Sequence, residues 1–253
     1  MEIIQLSPNV AKVPKNFRCL LIGASEAGKS TWIGKLIRNK SKVFQPPGYA
    51  KFIYCSPNLG ESNLTSPRDL EYKKCLKEWA EPSEIIFLDH IITEEELFEE
   101  AEVTSGRILL IVDDFSHELF STNLVYKLFT RLSSHGAGID TCVSIHQGVT
   151  SKSPGKWQSL IFDNSNFFVI FPIISNRAAI GELSKKIFPY GKNFLQRCLN
   201  EATNICGSYV HIFIDASLKN PLNNKFGVRS NIFEENGLPM LMMKNPSVYY
   251  GVH

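Results

Sequence analysis

The sequence predicts an α/β fold: a mostly parallel central sheet with helices on both faces. Three observations predict it. Apolar, β-rich runs recur along the 253 residues, at 17–23, 51–56, 84–90, 108–114, 141–146, 167–172 and 209–215. Helical patterns lie between most of them, at 29–40, 67–79, 93–101, 116–132, 176–187 and 194–203. Several runs, ILLIV at 108–112 among them, are apolar at consecutive positions, as strands covered on both faces are. Strands alternating with helices make a parallel sheet.

The elements follow in order. The run FRCLLIG enters a Gly-rich turn, and STWIGKLIRNK after it reads as a helix. The stretch 57–67 is the longest loop. Residues 67–79 form an amphipathic helix, and T-E-E-E at 93–96 opens the next one with the pattern of a capping box. The run at 108–114 ends in two aspartates, and TCVSIHQ follows the helix at 116–132. There is no internal repeat and no long linker, so residues 1–233 read as one domain. The remainder, 234–253, is a C-terminal tail holding Met240, Met242, Met243, Tyr249 and Tyr250, and it packs on the body or on a neighbour.

Composition narrows the class. With 43% hydrophobic and 21% charged residues, a disordered or fibrous chain is excluded. No apolar run approaches the roughly 20 residues of a membrane-spanning helix. The start, MEIIQLSPNVAK, lacks the basic and apolar regions of a secretory signal. The net charge of +2 gives no global reason to expect nucleic acid. It averages two unlike parts, however. Residues 1–150 carry 16 Lys/Arg and 19 Asp/Glu, a balance of −3, and residues 151–253 carry 11 and 6, a balance of +5. A basic second half suits phosphate, or is a solvated Lys-rich surface. The six cysteines, at 19, 55, 75, 142, 198 and 206, form no CxxC pair. Free thiols in a reducing compartment explain them better than a zinc site does.

The strongest signal is GASEAGKS at 23–30, followed by Thr31, which matches GxxxxGK[ST] between a strand and a helix. Gly23 and Gly28 let the backbone turn, so that the N–H groups of Ala24, Ser25, Glu26, Ala27, Gly28 and Lys29 face phosphate oxygens. The helix N-terminus adds the positive end of its dipole. Lys29 is the cation for the β- and γ-phosphates of ATP, and Ser30 places its hydroxyl on Mg2+. This is a P-loop NTPase pattern. Its second half is ILLIVDD. Asp113 holds the metal, through water, and Asp114 orients or deprotonates the attacking water. The two roles are interchangeable on sequence alone, and a helix cap by Asp114 or Ser116 is the alternative. Gln147, at the end of the next strand, senses the γ-phosphate or aligns water. His146 beside it reads as structural. No NKxD motif and no LSGGQ-type signature is present, which disfavours Ras-like GTPases and ABC ATPases.

With these residues in hand, the chain resembles the viral genome-packaging ATPases of the FtsK–HerA superfamily. The resemblance is to the poxvirus-type branch shared by giant viruses, virophages and Polinton/Maverick elements. Beyond the two nucleotide motifs, SSHGAGIDTCVSIHQ at 133–147 is similar to that family's histidine turn, strand and terminal Gln. NSNFFVIFPIISNRAAI at 164–180 resembles its Asn-led strand, followed by a helix ending in IFP at 187–189. EAT and GSYVHIFID within 201–215, then VRSNIF at 228–233, resemble its closing segments, so the likeness spans about 14–233. The family commonly has Pro-Arg-Asp after the Asn-led strand, whereas this stretch reads Ile174-Ser175-Asn176-Arg177, and it often has two adjacent histidines where this chain has Ser134-His135.

The resemblance implies a RecA-like FtsK–HerA core that hydrolyses ATP with Mg2+. It implies a homo-oligomeric ring around double-stranded DNA, driving the DNA into a preformed capsid and contacting capsid proteins, with no membrane partner. It places the chain inside the infected host cell, in cytoplasm or nucleus, or with the virion. An arginine from a neighbouring subunit completes such a site, and Arg131 is preferred to Arg177 and Arg229. DNA contacts go to phosphates regardless of sequence. Lys152, Lys156, Lys185, Lys186 and Lys192 are candidates, against a solvated basic face. Trp157 reads as a packing aromatic, and the acidic stretch at 94–102 as a solvated helix face or a contact for a neighbour's basic surface. Two rival readings remain. One is another P-loop DNA translocase, conjugation- or helicase-like. The other is an ATP-binding switch or scaffold with slow hydrolysis.

Overall fold

A computed structural model describes residues 13, 16–59, 66–81, 83–115, 118–119, 122–132, 138–145, 158–171, 181, 195–196, 199–200, 212–215 and 227–230. Among the described residues, eight strands form one sheet. They are β1 (Arg18–Ile22), β2 (Lys51–Cys55), β3 (Ile85–Leu88), β4 (Ile108–Val112), β5 (Ile139–Ile145), β6 (Phe167–Ile170), β7 (Ile212–Asp215) and β8 (Gly227–Ser230). Their order is β3-β2-β4-β5-β1-β6-β7-β8. The first six in that order are parallel, and β7 and β8 are added antiparallel at one edge. This is the P-loop NTPase fold in its RecA-like order, with β5 standing between β1 and β4.

Residues alternate across the sheet and bury two cores. One face collects Cys19, Leu21, Phe52, Tyr54, Leu109, Ile111, Cys142, Phe167 and Val169. Helix α1 (Lys29–Arg38) covers it with Trp32, Ile33, Leu36 and Ile37, and α3 (Pro67–Trp79) with Leu76. A short turn, α2 (Lys40–Val43), follows α1. The other face collects Leu20, Ile22, Ile53, Leu110, Val112, Val143, Ile145, Phe168 and Ile170. It is covered by Leu97 of α4 (Glu94–Val103), Leu124 and Val125 of α5 (Asn123–Lys127), and Ile161 and Phe162 of α6 (Gln158–Asn164). Truncating one such Leu or Ile to Ala costs about 2–5 kcal/mol. No helix among the described residues is long and apolar enough to cross a membrane.

Local chemistry sets the helix ends. The Thr93 hydroxyl accepts from the Glu96 N–H at 3.2 Å, and the Glu96 carboxylate accepts from the Thr93 N–H at 2.8 Å, so the capping box is present. Pro67 opens α3, where its missing N–H costs nothing. Helix α1 stops at Arg38 rather than at 40, because Asn39 leaves helical geometry and its side-chain amide donates to the Lys35 carbonyl. The helix expected over 116–132 is interrupted. Thr122 is extended (φ −93, ψ 153), and its N–H and hydroxyl both donate to the Leu119 carbonyl, a local arrangement that competes with the helix. The segment resumes as α5 and ends in a π-helical turn, Leu128–Leu132.

Strand β5 begins at Ile139, two residues before the expected run, while β8 and α6 have no counterpart in the sequence reading. The expected helices at 176–187 and 194–203 lie largely outside the described residues, as do the tail and Lys152, Lys156, Lys185, Lys186 and Lys192. The acidic helix α4 is not wholly a solvated face. Glu94 accepts from Lys127 at 2.5 and 2.6 Å, and Glu100 pairs with Lys51, while Glu95, Glu99 and Glu102 are exposed. The described cysteines, Cys19, Cys55, Cys75 and Cys142, are free thiols.

Candidate nucleotide and metal site

The loop 23–28 leaves the carboxyl end of β1, in the middle of the sheet. Two backbone bonds fix it there: the Gly23 N–H donates to the Ile145 carbonyl at 3.2 Å, and the Phe171 N–H donates to the Ile22 carbonyl at 2.9 Å. A Cβ on Gly23 would stand 2.9 Å from Phe171 Cβ, so the neighbouring strand demands glycine. Gly28 begins α1 at φ +94, in the left-handed region that side chains disfavour. The first turn of α1 carries no acidic residue, so none of its own side chains offsets the positive end of the helix dipole.

Lys29 is only 5% exposed. Its ammonium donates to the carbonyl of Ala24 at 2.7 Å and of Gly23 at 3.2 Å. Burial pulls its pKa below the ordinary lysine value, and the charges of Asp113 and Asp114 pull it back up. Asp113 follows β4 and is anchored by its N–H to the Cys55 carbonyl at 2.9 Å. Its Oδ2 accepts from Ser30 Oγ at 2.7 Å and from the Tyr54 hydroxyl at 2.9 Å, and its Oδ1 accepts from Ser144 Oγ. Asp114 is half-buried with φ 65, and its N–H donates to Ser144 Oγ at 3.3 Å. Ser144 on β5 therefore ties the two aspartates together. Tyr72 of α3 donates to the Ser30 carbonyl.

A cleft of about 680 Å³ gathers most of these groups. Ser25, Glu26, Gly28, Lys29, Ser30, Thr31, Asp113 and Asp114 all line it, so residues some 85 positions apart in sequence face one space. Gly23 and Ala24 enter through their carbonyls on Lys29, and Ala27 packs on the core of the same face. The cleft continues along α3 past Arg68, Glu71, Cys75 and Trp79. Its size suits a nucleotide. The donor set at its base is a hydroxyl and a carboxylate held 2.7 Å apart, hard oxygen ligands of the kind Mg2+ takes. The residues present thus fit a magnesium nucleotide.

The other expected site residues lie apart. Arg131 is exposed in the π-helical turn and does not line the cleft. Gln147, His146, Trp157, Arg177, Lys152, Lys156, Lys185, Lys186 and Lys192 lie outside the described residues, and Arg229 is described in its backbone only, on β8. Sequence reading missed Tyr54, Tyr72 and Ser144. Tyr54 and Tyr72 sit in patterns that read as core, and only Ser144, a polar residue inside an apolar strand, offered a signal.

No family model matches the chain, and no curated protein matches it. Solved structures similar to it include three of ATPases. The cytoplasmic domain of the Thermomonospora curvata type VII secretion ATPase EccC is 12% identical, with a TM-score of 0.46 over 85% of this chain and 29% of that one. EssC (ATPases 2 and 3) from Geobacillus thermodenitrificans is 11% identical, with a TM-score of 0.41 over 91% of this chain and 40% of that one. T. curvata EccC (ATPases 2 and 3), in complex with a signal sequence peptide, is 15% identical, with a TM-score of 0.34 over 60% and 29%. This chain therefore spans well under half the length of those structures. A likeness of this depth carries no argument about activity, which rests on the site itself.

Proposed function

We propose that this chain is a Mg2+-dependent ATPase of the FtsK–HerA type that forms a ring and drives double-stranded DNA into a viral capsid. The observation that carries the ATPase part is the 2.7 Å contact between Ser30 Oγ and Asp113 Oδ2, beside Lys29 and under one cleft. The DNA-packaging part is supported by the ordered sequence resemblance over 14–233.

Each residue has a defined task. The N–H groups of the loop and Lys29 bind the phosphates, and Lys29 exchanges the Gly23 and Ala24 carbonyls for phosphate oxygens. Ser30 and Asp113 hold the cation. When bound, Mg2+ neutralises charge on the β- and γ-phosphate oxygens. Asp114 stands one residue further along and accepts the proton of the attacking water or orients it. Gln147 aligns that water, and Arg131 of an adjacent subunit stabilises charge on the γ-phosphate. Lysines of residues 151–253 track DNA phosphates without reading sequence.

The test is steady-state ATP hydrolysis with and without duplex DNA. Stimulation by duplex of any sequence, lost in Lys29→Ala and Asp114→Asn, is the expected result. ATP binding without turnover and without response to DNA overturns the motor reading in favour of a switch. Strand separation in place of translocation overturns packaging in favour of a helicase.

A further inference from the structure

We infer that Tyr54 is a positioning residue for the metal-holding half of this site, and that Tyr72 links that half to α3. The inference rests on the magnesium–nucleotide reading above. Its basis is a chain of hydroxyls. Tyr54 donates to Asp113 Oδ2, the same oxygen that accepts from Ser30. Tyr72 donates to the Ser30 carbonyl, and the two tyrosine hydroxyls lie 3.5 Å apart. Their rings meet edge to face at 6.5 Å. Residues from β2 and α3 thus end on the two groups that share the cation.

The chemistry of Asp113 explains why a phenol belongs there. A carboxylate offers about four acceptor positions. Three are taken by neutral O–H donors from three separate elements: Ser30 of α1, Tyr54 of β2 and Ser144 of β5. Neutral donors fix the carboxylate's orientation and leave its charge for a cation, which a guanidinium would cancel. The Tyr54 hydroxyl stays a donor throughout the physiological range. Burial drives its proton release far above the ordinary value, and the nearby Asp113 charge adds to this. Packing alone would be met by Phe, since the ring lies among Tyr72, Phe87 and the core of its face. The hydroxyl is what reaches the carboxylate. Tyr72 acts on the other partner by pinning the Ser30 carbonyl, which sets the first turn of α1 against Asp113. Because α3 lines the same cleft, a shift of α3 moves the Ser30–Asp113 geometry with it.

The test is calorimetric affinity of the full chain for a non-hydrolysable ATP analogue, measured in Mg2+ and in EDTA. Tyr54→Phe is expected to weaken binding in Mg2+ about tenfold and to leave binding in EDTA within about twofold, the loss of one charge-assisted hydrogen bond. Tyr72→Phe is expected to move the same ratio by less. The tyrosine ultraviolet difference spectrum produced by adding Mg2+ to the analogue complex should shrink in Tyr54→Phe. Equal losses in both conditions, or none in either, overturn the inference while leaving the nucleotide site standing. A wild-type chain that binds the analogue in neither condition overturns both. If Tyr54→Phe melts early, Tyr72→Phe, on a half-buried position, decides the question by the same ratio.

Discussion

Two buried carboxylates stand at opposite ends of adjacent strands. Asp113 follows the carboxyl end of β4 and is 3% exposed, and Asp140 is at the amino end of β5 and is fully buried. Each accepts a hydrogen bond from a tyrosine, Tyr54 on one and Tyr49 on the other. Their remaining partners differ. Asp113 is held by hydroxyls and borders a cleft of about 680 Å³. Asp140 is bound by the Arg107 guanidinium, which also lies 5.4 Å from the Tyr49 ring, and the cavity beside Tyr49 and Arg107 is only about 10 Å³. The ingredients are alike, and the difference is whether the charge is already cancelled. Asp140 is a clamp that closes one end of the sheet, whereas Asp113 keeps a charge to give to a ligand.

Breaking each cluster should therefore produce different losses. The largest is expected at the open end: Lys29→Ala should lower kcat/KM for ATP by about 10²- to 10³-fold, as removal of one preorganised donor does, with little change in the thermal midpoint. Hydrolysis rates and melting curves on the same preparations check this. Arg107→Ala should do the reverse. It leaves Asp140 without its cation in a dry place, at a cost of about 3 kcal/mol in urea unfolding, with analogue affinity unchanged.

A smaller effect separates the two by pH. Burial raises Asp140 from 3.8 to about 6, against the opposing pull of Tyr49, Arg107, the Phe17 N–H and Arg18. Between those values the native state holds the proton that the unfolded chain has lost, so stability falls as pH rises. The contribution is full below about pH 4 and is lost as pH passes through about 6. It should appear as a narrowing, on the order of 2 kcal/mol, of the stability of wild type relative to Asp140→Asn across that window. Chemical unfolding at several pH values reads it. The smallest effect belongs to Tyr49→Phe, about 1 kcal/mol of stability with no change in nucleotide binding. Any loss of analogue affinity there would erase the distinction between the two ends.

The parallel sheet was legible because runs such as Ile108–Val112 are apolar at every position, which only a strand covered on both faces requires. The phosphate loop was legible because its chemistry is local: Gly23, Gly28, Lys29 and Ser30 lie within eight positions. Asp113 and Asp114 were legible because a charged pair breaks an apolar run. What escaped depends on pairing at a distance. Ser144 meets Asp113 only because β5 lies beside β4, and Tyr54 meets it only because β2 lies on the other side. A tyrosine in KFIYC has no local mark that separates it from core. Strand β8 is four residues, GVRS, with no alternation to read, and the break at Thr122 follows from one side-chain bond that competes with a helix.

The left-handed backbone of Asp114 has a consequence for how this position can vary. At φ 65 the chain tolerates Gly, Asn and Asp with little strain, while longer or branched side chains pay for the conformation. A saturation library here, selected only for folding, should return those three. Selected also for turnover, it should return Asp alone. A glutamate keeps the charge but is one methylene longer, and it would have to push its carboxylate further into the cleft from a backbone that resists it. The shortest acidic side chain is thus imposed by the turn, and the length of the carboxylate arm at this place is a property of the main chain.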